Sequence, residues 1–351
     1  MPAKFSVAWK SPSNIAFIKY WGKKPGQVPA NPSLSMSLTE AYTKTQVSAF
    51  ESADHMPDLA INGKPDHPFI GKVRSLLDKM KLDFPLLQQF SFDLGTANSF
   101  PHSAGIASSA SGLSAFSLSI LDLVLQIEDR KLESEEFFRQ ASYYARIGSG
   151  SACRSVYGEF AVWGKNNYLD DSSDLYAIPF NDRVNSKFQD LQDTILIVSS
   201  KPKALSSSAG HAKMGSHPFA EARRLQAINN LDEILKCMEK GDFERFGTIV
   251  ENEALILHSL IMTSDESSML LEPGSIQIIH AVRKARKQGL PVFFTIDAGP
   301  NIHLIYPGNY SDQIRPFIQN ELLPFCENSK VIYDCIGKGP ERISIVEGFL
   351  S

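Results

Sequence analysis

The segment Pro101–Gly112, PHSAGIASSASG, is built mainly from glycine, serine and alanine and runs straight into the apolar stretch LSAFSLSILDLVLQI. Small residues let a backbone come close to a ligand, and glycine supplies turn conformations that other residues avoid. Serine hydroxyls add donors, and a helix starting here would aim its unpaired N–H groups at whatever the loop holds. The combination suits polyphosphate. The plainer reading is an N-capped helix after an ordinary loop, and a single stretch does not separate the two. Beyond it, Leu113, Phe116, Ile120, Val124 and Ile127 recur at three- and four-residue steps, and Leu118, Leu121 and Leu125 widen the stripe. That spacing predicts a helix buried on most sides, a rigid mount for the loop.

A chain of 351 residues has material for one large or two medium domains. Its net charge of −4 gives no general reason to expect nucleic acid or a membrane surface, so an anionic ligand needs locally placed cations. No window approaches the roughly 18 uninterrupted apolar residues of a membrane span. Met1–Lys10 lacks the apolar core of a secretory signal. Cys153, Cys237, Cys326 and Cys335 form no CxxC pair, so neither zinc nor a disulfide framework is signalled. The expectation is a cytoplasmic protein.

Along the chain, Phe5–Trp9 alternates like a strand and leads into SPSNIAFIKYWGKK, where lysines flank a Tyr-Trp pair. VPANPSLSMSLT and KTQVSAF read as two β-type runs separated by a short polar turn. Ser33, Ser35 and Ser37 share one face of the first run, lining either a polar pocket or a solvent-facing strand edge. Asp58–Asn62 and the run from Gln88 read as strands, with a helix over Pro68–Met80 between them. A helix over Ser134–Ala145 ends in ARIGSGSACRS, and strands follow at Tyr157–Trp163 and Thr194–Ser199. KPKALSSSAGH, Lys201–His211, is a third serine-rich loop. Two amphipathic helices span Pro218–Met262 with a break near Gly241-Asp242, and another covers Ile276–Gln288. PVFFTI is a buried strand that ends at Asp297, Asn301–Tyr306 is the next strand, and ERISIV is a pairing segment near the C-terminus. The order is that of an α+β protein rather than of alternating βαβ units. It gives an N-terminal domain over residues 1–188 and a C-terminal one over 189–351.

Several side chains stand out chemically. Arg154 offers a planar fork for carboxylate or phosphate, and in a helical segment it shares a face with Ser151. Lys19 and Lys23, four apart, suit an anion site or a solvated helix face. Asp297 is a lone carboxylate carried out of a hydrophobic strand into a Gly-Pro turn, either capping the turn or orienting a hydroxyl. His102, His211, His258 and His303 have no metal-ligand spacing and read as core or surface residues.

Pro101-x-x-x-Gly105-Ile106-x-Ser108-Ser109-Ala110 resembles the PxxxGLxSSxA phosphate loop of the GHMP kinase superfamily. NIAFIKYWGK (Asn14–Lys23), GSGSACRS (Gly148–Ser155) and TIDAGPN (Thr295–Asn301) narrow the likeness to its diphosphomevalonate decarboxylase family. The resemblance implies a GHMP kinase-like two-domain fold with the active site in the cleft between domains. It implies ATP and Mg²⁺ as cofactors, and mevalonate 5-diphosphate as the small-molecule substrate. The expected products are isopentenyl diphosphate, ADP, phosphate and carbon dioxide. It further implies that Asp297, Lys19 and Arg154 are catalytic, Arg154 by binding the substrate carboxylate. Asn14, Tyr20, Lys23, Ser151 and Ser207 are implied to bind substrate. Ser99, Gly105, Ala107, Ser108, Ser109 and Ser111 are implied to hold the nucleotide, with Ser109 placing the metal. A homodimer is expected, with no nucleic acid and no membrane as partner. Three other readings stay open: a relative acting on mevalonate 5-phosphate, a mevalonate 3-kinase, and a non-catalytic nucleotide-binding protein. Asp297 argues against the kinase, whose type lacks this aspartate. Whether Lys72 or Arg74 meets the terminal phosphate is undecided by the sequence.

Overall fold

Strand β1 (Phe5–Ile18) in the computed structural model is far longer than the alternating stretch that marks its start. The structure describes residues 4–52, 58–100, 108–201 and 207–345, with side chains from 209 onward in the last span. From Ser11 to Ile18 every residue of β1 is buried, so both faces pack and the alternation that reveals a strand disappears.

A short hairpin, β2 (Lys23–Lys24) and β3 (Val28–Pro29), precedes β4 (Ser33–Glu51), where the sequence predicts two runs and a turn. No turn forms there. The register against β1 jumps from Tyr42 opposite Pro12 to Ser37 opposite Asn14, a bulge in one continuous strand. The N–H groups of Thr39, Glu40 and Ala41, within that bulge, donate to the Asp334 carboxylate at 2.8 Å each. A carboxylate from the far end of the chain thus stabilises what looked like a turn. Asp334→Asn points an amide N–H at the Ala41 N–H, and we expect it to destabilise the fold by about 2 kcal/mol. Urea unfolding measures this, and a variant matching the parent would leave the bulge without need of Asp334.

The remaining elements of the first half are β5 (Leu59–Ile61), α1 (Ile70–Asp83), β6 (Phe90–Asn98), α2 (Ser108–Ile127), α3 (Ser134–Gly148), β7 (Phe160–Trp163) and β8 (Ala177–Pro179). The second half holds β9 (Leu191–Leu196), α4 (Ser207–Lys213), α5 (Ala220–Lys240), α6 (Phe243–Met262), α7 (Pro273–Lys287), β10 (Phe293–Thr295), β11 (Ile302–Pro307), α8 (Ser311–Phe317), β12 (Val331–Cys335) and β13 (Glu341–Arg342). One sheet has the order β13-β1-β4-β6-β5, with β7 on the N-terminal half of β4 and β8 beyond it. Its β13 edge comes from the ERISIV segment, pairing Arg342 with Trp9. The other sheet is antiparallel in the order β10-β11-β9-β12.

β1 belongs to two cores. Its first half, through Val7 and Trp9, packs with Leu76, Leu113 and Phe116 of α1 and α2. Its second half, through Ile15, Phe17 and Ile18, packs with Leu231 and Leu235 of α5 and Phe246 of α6. At about 2 kcal/mol per fully buried large side chain, each half of the strand is held firmly. By length and composition α2 could cross a membrane, but 78% of its apolar window is buried inside the protein, so its hydropathy is that of a core helix. The predicted break between α5 and α6 is Gly241 at φ +73°, after which Asp242 caps α6 by accepting from the Arg245 N–H at 3.0 Å. Gly247 then lets α6 lie directly on β10, since a Cβ there would sit 2.2 Å from the Phe293 ring.

Candidate active site

Lys19 follows the last residue of β1, and Asp297 lies two residues beyond β10. The Lys19 Nζ donates to Asp297 Oδ1 at 2.7 Å, with the ammonium stem buried and the carboxylate side chain 30% exposed. A buried ammonium is strongly disfavoured unless paired. Burial pulls the Lys19 pKa down, Asp297 and Glu253 push it back up, and the Arg154 charge pulls it down again. Asp297 is thus ion-paired with Lys19 and partly exposed.

Arg154 lies in the 3₁₀ turn Gly150–Val156 and is buried. Its Nε donates to the Ser35 hydroxyl at 2.9 Å, one terminal nitrogen to the Ser33 hydroxyl at 2.7 Å, and the other to Asn14 Oδ1 at 3.3 Å. The serine face of β4 is buried rather than a solvent edge: Ser33 and Ser35 cradle this guanidinium, while the Ser37 hydroxyl donates to the Tyr157 carbonyl at 2.6 Å. Among the described residues no carboxylate is ion-paired with Arg154, and two of its five N–H donors are left over. Burial lowers its pKa, and the nearby Asp297 charge counters this. The hydrogen bonds of Arg154 go to neutral oxygens, the Trp163 ring lies 5.9 Å from the guanidinium carbon, and such a buried cation has the chemistry to take an anion. Asn14 is fixed in turn, donating to the Ser155 hydroxyl at 2.8 Å and the Ser151 carbonyl at 3.3 Å.

The Tyr20 ring is wedged between Trp163 and His211, at centroid distances of 4.7 and 4.3 Å. Its hydroxyl is buried with no hydrogen-bond partner among the described residues, and a Cβ on Gly150 would sit 2.9 Å from it. A buried hydroxyl without a protein partner can serve a ligand oxygen. His211 accepts from the Gly22 N–H at 3.0 Å, and burial, with Lys23 and Arg154 nearby, pushes its pKa down to about 3. It is a neutral acceptor that fixes the backbone after Tyr20. Lys23 is exposed, and its pKa is lowered by partial burial and by the charge of Lys72. Arg74, in contrast, reaches Asp58 at 3.6 Å. Lys23 and Lys72 thus form a pair of cations with no ion-pair partner among the described residues, and Arg74 stands outside it.

The structure brings Asn14, Lys19, Tyr20, Arg154 and Asp297 together, with the Ser151 backbone touching Asn14. Ser108 and Ser109 open α2 and are partly exposed, with the first-turn N–H groups beside them. Ser99 and Ser111 have hydrogen-bond partners within the protein, Ser111 donating also to the Ser108 carbonyl at 3.4 Å. The Ser99 hydroxyl donates to the Glu40 carbonyl at 2.5 Å and accepts from the Tyr42 N–H, while the buried Ser111 hydroxyl meets Thr43 Oγ1 at 2.7 Å. Gly105 and Ala107 lie outside the described residues, as does the Ser207 side chain at the start of α4. Of the histidines, His303 is buried against Asp193 at 2.7 Å, and His258 reaches the Asp297 carbonyl at 3.1 Å. A cavity of ≈ 470 Å³ lined by Lys187, Asp190, Glu244 and Tyr310 includes none of these residues.

Sequence reasoning missed Glu253 and Arg223, a fully buried pair at 2.6 Å that also bonds both ends of the Lys19 residue. A signal existed. Glu253 falls three residues after Val250 and four before Leu257, so it sits on the apolar face of an amphipathic helix, where a carboxylate needs a partner.

Comparison with known proteins converges on one family. Residues 11–175 match the family model described as the diphosphomevalonate decarboxylase-like N-terminal domain, and residues 194–343 the one described as the mevalonate 5-diphosphate decarboxylase C-terminal domain. The diphosphomevalonate decarboxylase of Candida albicans is 28% identical over 97% of this chain and 98% of its own length. The human one is 29% identical over 84% and 75%. A solved complex with MVAPP, AMPPCP and magnesium is similar at a TM-score of 0.82 and 28% identity, covering 97% of this chain and 99% of that one. The mevalonate diphosphate decarboxylase of Staphylococcus aureus gives the same TM-score and identity, covering 97% and 98%.

Proposed function

The chain belongs to the diphosphomevalonate decarboxylase family, and on that premise we propose that it catalyses the ATP-dependent decarboxylation of mevalonate 5-diphosphate to isopentenyl diphosphate. The observation that carries the reading is the juxtaposition of an acceptor carboxylate and a spare guanidinium. Asp297 is held by Lys19 at 2.7 Å, and the carboxylate-free Arg154 lies close enough to act on both charges. The chemistry needs both. A tertiary alcohol is a weak nucleophile and hydroxide a poor leaving group. Asp297 orients the C3 hydroxyl or accepts its proton, so that the hydroxyl takes up the γ-phosphoryl group of ATP. Lys19 offsets charge on the transferred group. Arg154 then holds the carboxylate in line for loss of phosphate and carbon dioxide, a matter of positioning.

The α2 N-terminus with Ser108 and Ser109 supports nucleotide phosphate binding, since its first N–H groups have no intrahelical acceptors. Ser109 is the protein donor offered to magnesium, a cation that usually takes most of its ligands from phosphate and water and adds charge neutralisation. Tyr20, Lys23 and Lys72 suit the diphosphate. For the outer phosphate the pairing favours Lys72 over Arg74, which is already bound to Asp58. Lys72→Ala should raise the substrate KM about tenfold, and Arg74→Ala should leave it within about twofold. Steady-state kinetics with varied substrate decides this, and equal effects would dissolve the assignment.

The test of the whole reading is a panel of mevalonate, its 5-phosphate and its 5-diphosphate with Mg-ATP, following ADP and carbon dioxide together. Equal release of both from the diphosphate alone is the expected result. Both products mainly from the monophosphate would move the substrate down by one phosphate, and ADP without carbon dioxide would make the protein a kinase.

A further inference from the structure

We infer that helix α6 sets the Lys19–Asp297 geometry, with Glu253 and His258 as its two positioning residues. The inference rests on the proposed role of that pair in phosphoryl transfer. Glu253 is wholly buried, and its Oε2 accepts from the Lys19 backbone N–H at 2.9 Å. Five residues further along the same helix, His258 Nε2 lies 3.1 Å from the Asp297 carbonyl oxygen. A carbonyl only accepts, so Nε2 carries the proton and donates. The two residues of the pair leave the ends of strands in different sheets, β1 and β10, which share no ladder. One rigid helix therefore grips both backbones.

Glu253 is itself held without slack. Arg223 of α5 donates to Oε1 at 2.7 Å and to Oε2 at 2.6 Å, and Asn230 adds a contact to Oε1 at 2.7 Å. The same Arg223 nitrogen that meets Oε2 also donates to the Lys19 carbonyl at 3.0 Å. The backbone of Lys19 is thus bonded at its N–H by a carboxylate and at its C=O by that carboxylate's own partner. A buried ion pair adds little net stability compared with apolar packing, but it fixes register sharply. At its other end α6 is seated on β10 through Gly247 and Phe293.

Glu253 also acts on the Lys19 charge. The charged groups facing Lys19 are Asp297 beyond β10, Glu253 on α6, Arg223 on α5 and Arg154 in the 3₁₀ turn. Asp297 and Glu253 favour the ammonium, whereas burial and Arg154 oppose it. With the Glu253 charge removed, Lys19 gives up its proton at lower pH.

The test compares Glu253→Gln with Glu251→Gln. Glu251 is on the same helix, is buried, and is paired with Arg286 at 2.5 Å, but it makes no contact with Lys19. Glu253→Gln should lower kcat about tenfold to a hundredfold with KM for both substrates within about threefold, as expected of a misplaced reacting pair. The basic limb of its kcat–pH profile should move to lower pH. Glu251→Gln, which also gives up a bond from the Phe294 backbone of β10, should lose thermal stability but keep the parental basic limb. Independently of turnover, NMR titration of ε-¹³C-lysine should show the Lys19 midpoint lowered in Glu253→Gln alone. If Glu253→Gln does not fold, His258→Phe carries the test from the other end, with a kcat loss of about tenfold at unchanged KM. A parental pH limb in Glu253→Gln, or a full kcat in His258→Phe, would overturn the inference. Failure of the underlying functional reading looks different: the unmodified protein would release neither ADP nor carbon dioxide from any of the three compounds.

Discussion

Asp297→Asn should lower kcat by about 10³-fold or more while leaving substrate KM nearly unchanged. Asparagine keeps the volume of the side chain and one oxygen, so the diphosphate and carboxylate contacts proposed for Lys23, Tyr20 and Arg154 are not touched. What disappears is the carboxylate proposed to accept or orient the hydroxyl proton. The ammonium at 2.7 Å also loses its counterion, and burial then leaves Lys19 easier to deprotonate. The variant is therefore expected to bind both substrates, to turn over slowly, and to lose residual activity at lower pH than the parent. Isothermal titration with substrate and with a non-hydrolysable nucleotide separates binding from chemistry. Near-parental turnover would remove Asp297 from the mechanism, and lost binding would make it a structural residue.

How much of this site could be read from the sequence depends on what each residue's neighbours in the chain disclose. Asp297 is conspicuous because it ends a run of apolar residues, and Arg154 because it stands in a Gly/Ser/Ala turn; both signals are local. The second half of β1 and the bulge of β4 were not legible. A strand buried on both faces has no alternation, and Glu40–Thr43 reads as a turn until Asp334, almost three hundred residues later, supplies the acceptor for the N–H groups of Thr39, Glu40 and Ala41. The break at Gly241-Asp242 was legible, since a left-handed glycine followed by an aspartate cap is a local matter. The serines of β4 fell between these cases. Their shared face follows from a period of two, but only packing against the 3₁₀ turn shows that Ser33 and Ser35 hold an arginine. Glu253 and Arg223 needed two helices to be set side by side before either charge made sense. Local chemistry shows in sequence, whereas pairing across elements waits for the fold.

The same cradle leads to the second large effect. Arg154→Lys keeps the charge but replaces a fork, whose three nitrogens each meet a different oxygen, with a single ammonium. One ammonium cannot satisfy Ser35, Ser33 and Asn14 and still present two parallel N–H groups to a carboxylate. We expect kcat/KM to fall about a hundredfold or more. Removing only one wall of the cradle, with Ser33→Ala, should cause a loss of about threefold to tenfold, since the guanidinium keeps its other two anchors. If Arg154 acts by aligning the carboxylate for elimination, its loss weighs more on the second half of the reaction than on phosphoryl transfer. Single-turnover quench experiments on Arg154→Lys should then show ADP appearing ahead of carbon dioxide, whereas the parent releases the two together. Equal slowing of both products would place Arg154 in substrate binding alone, and an unchanged kcat/KM would leave a buried, carboxylate-free guanidinium with no part in the reaction.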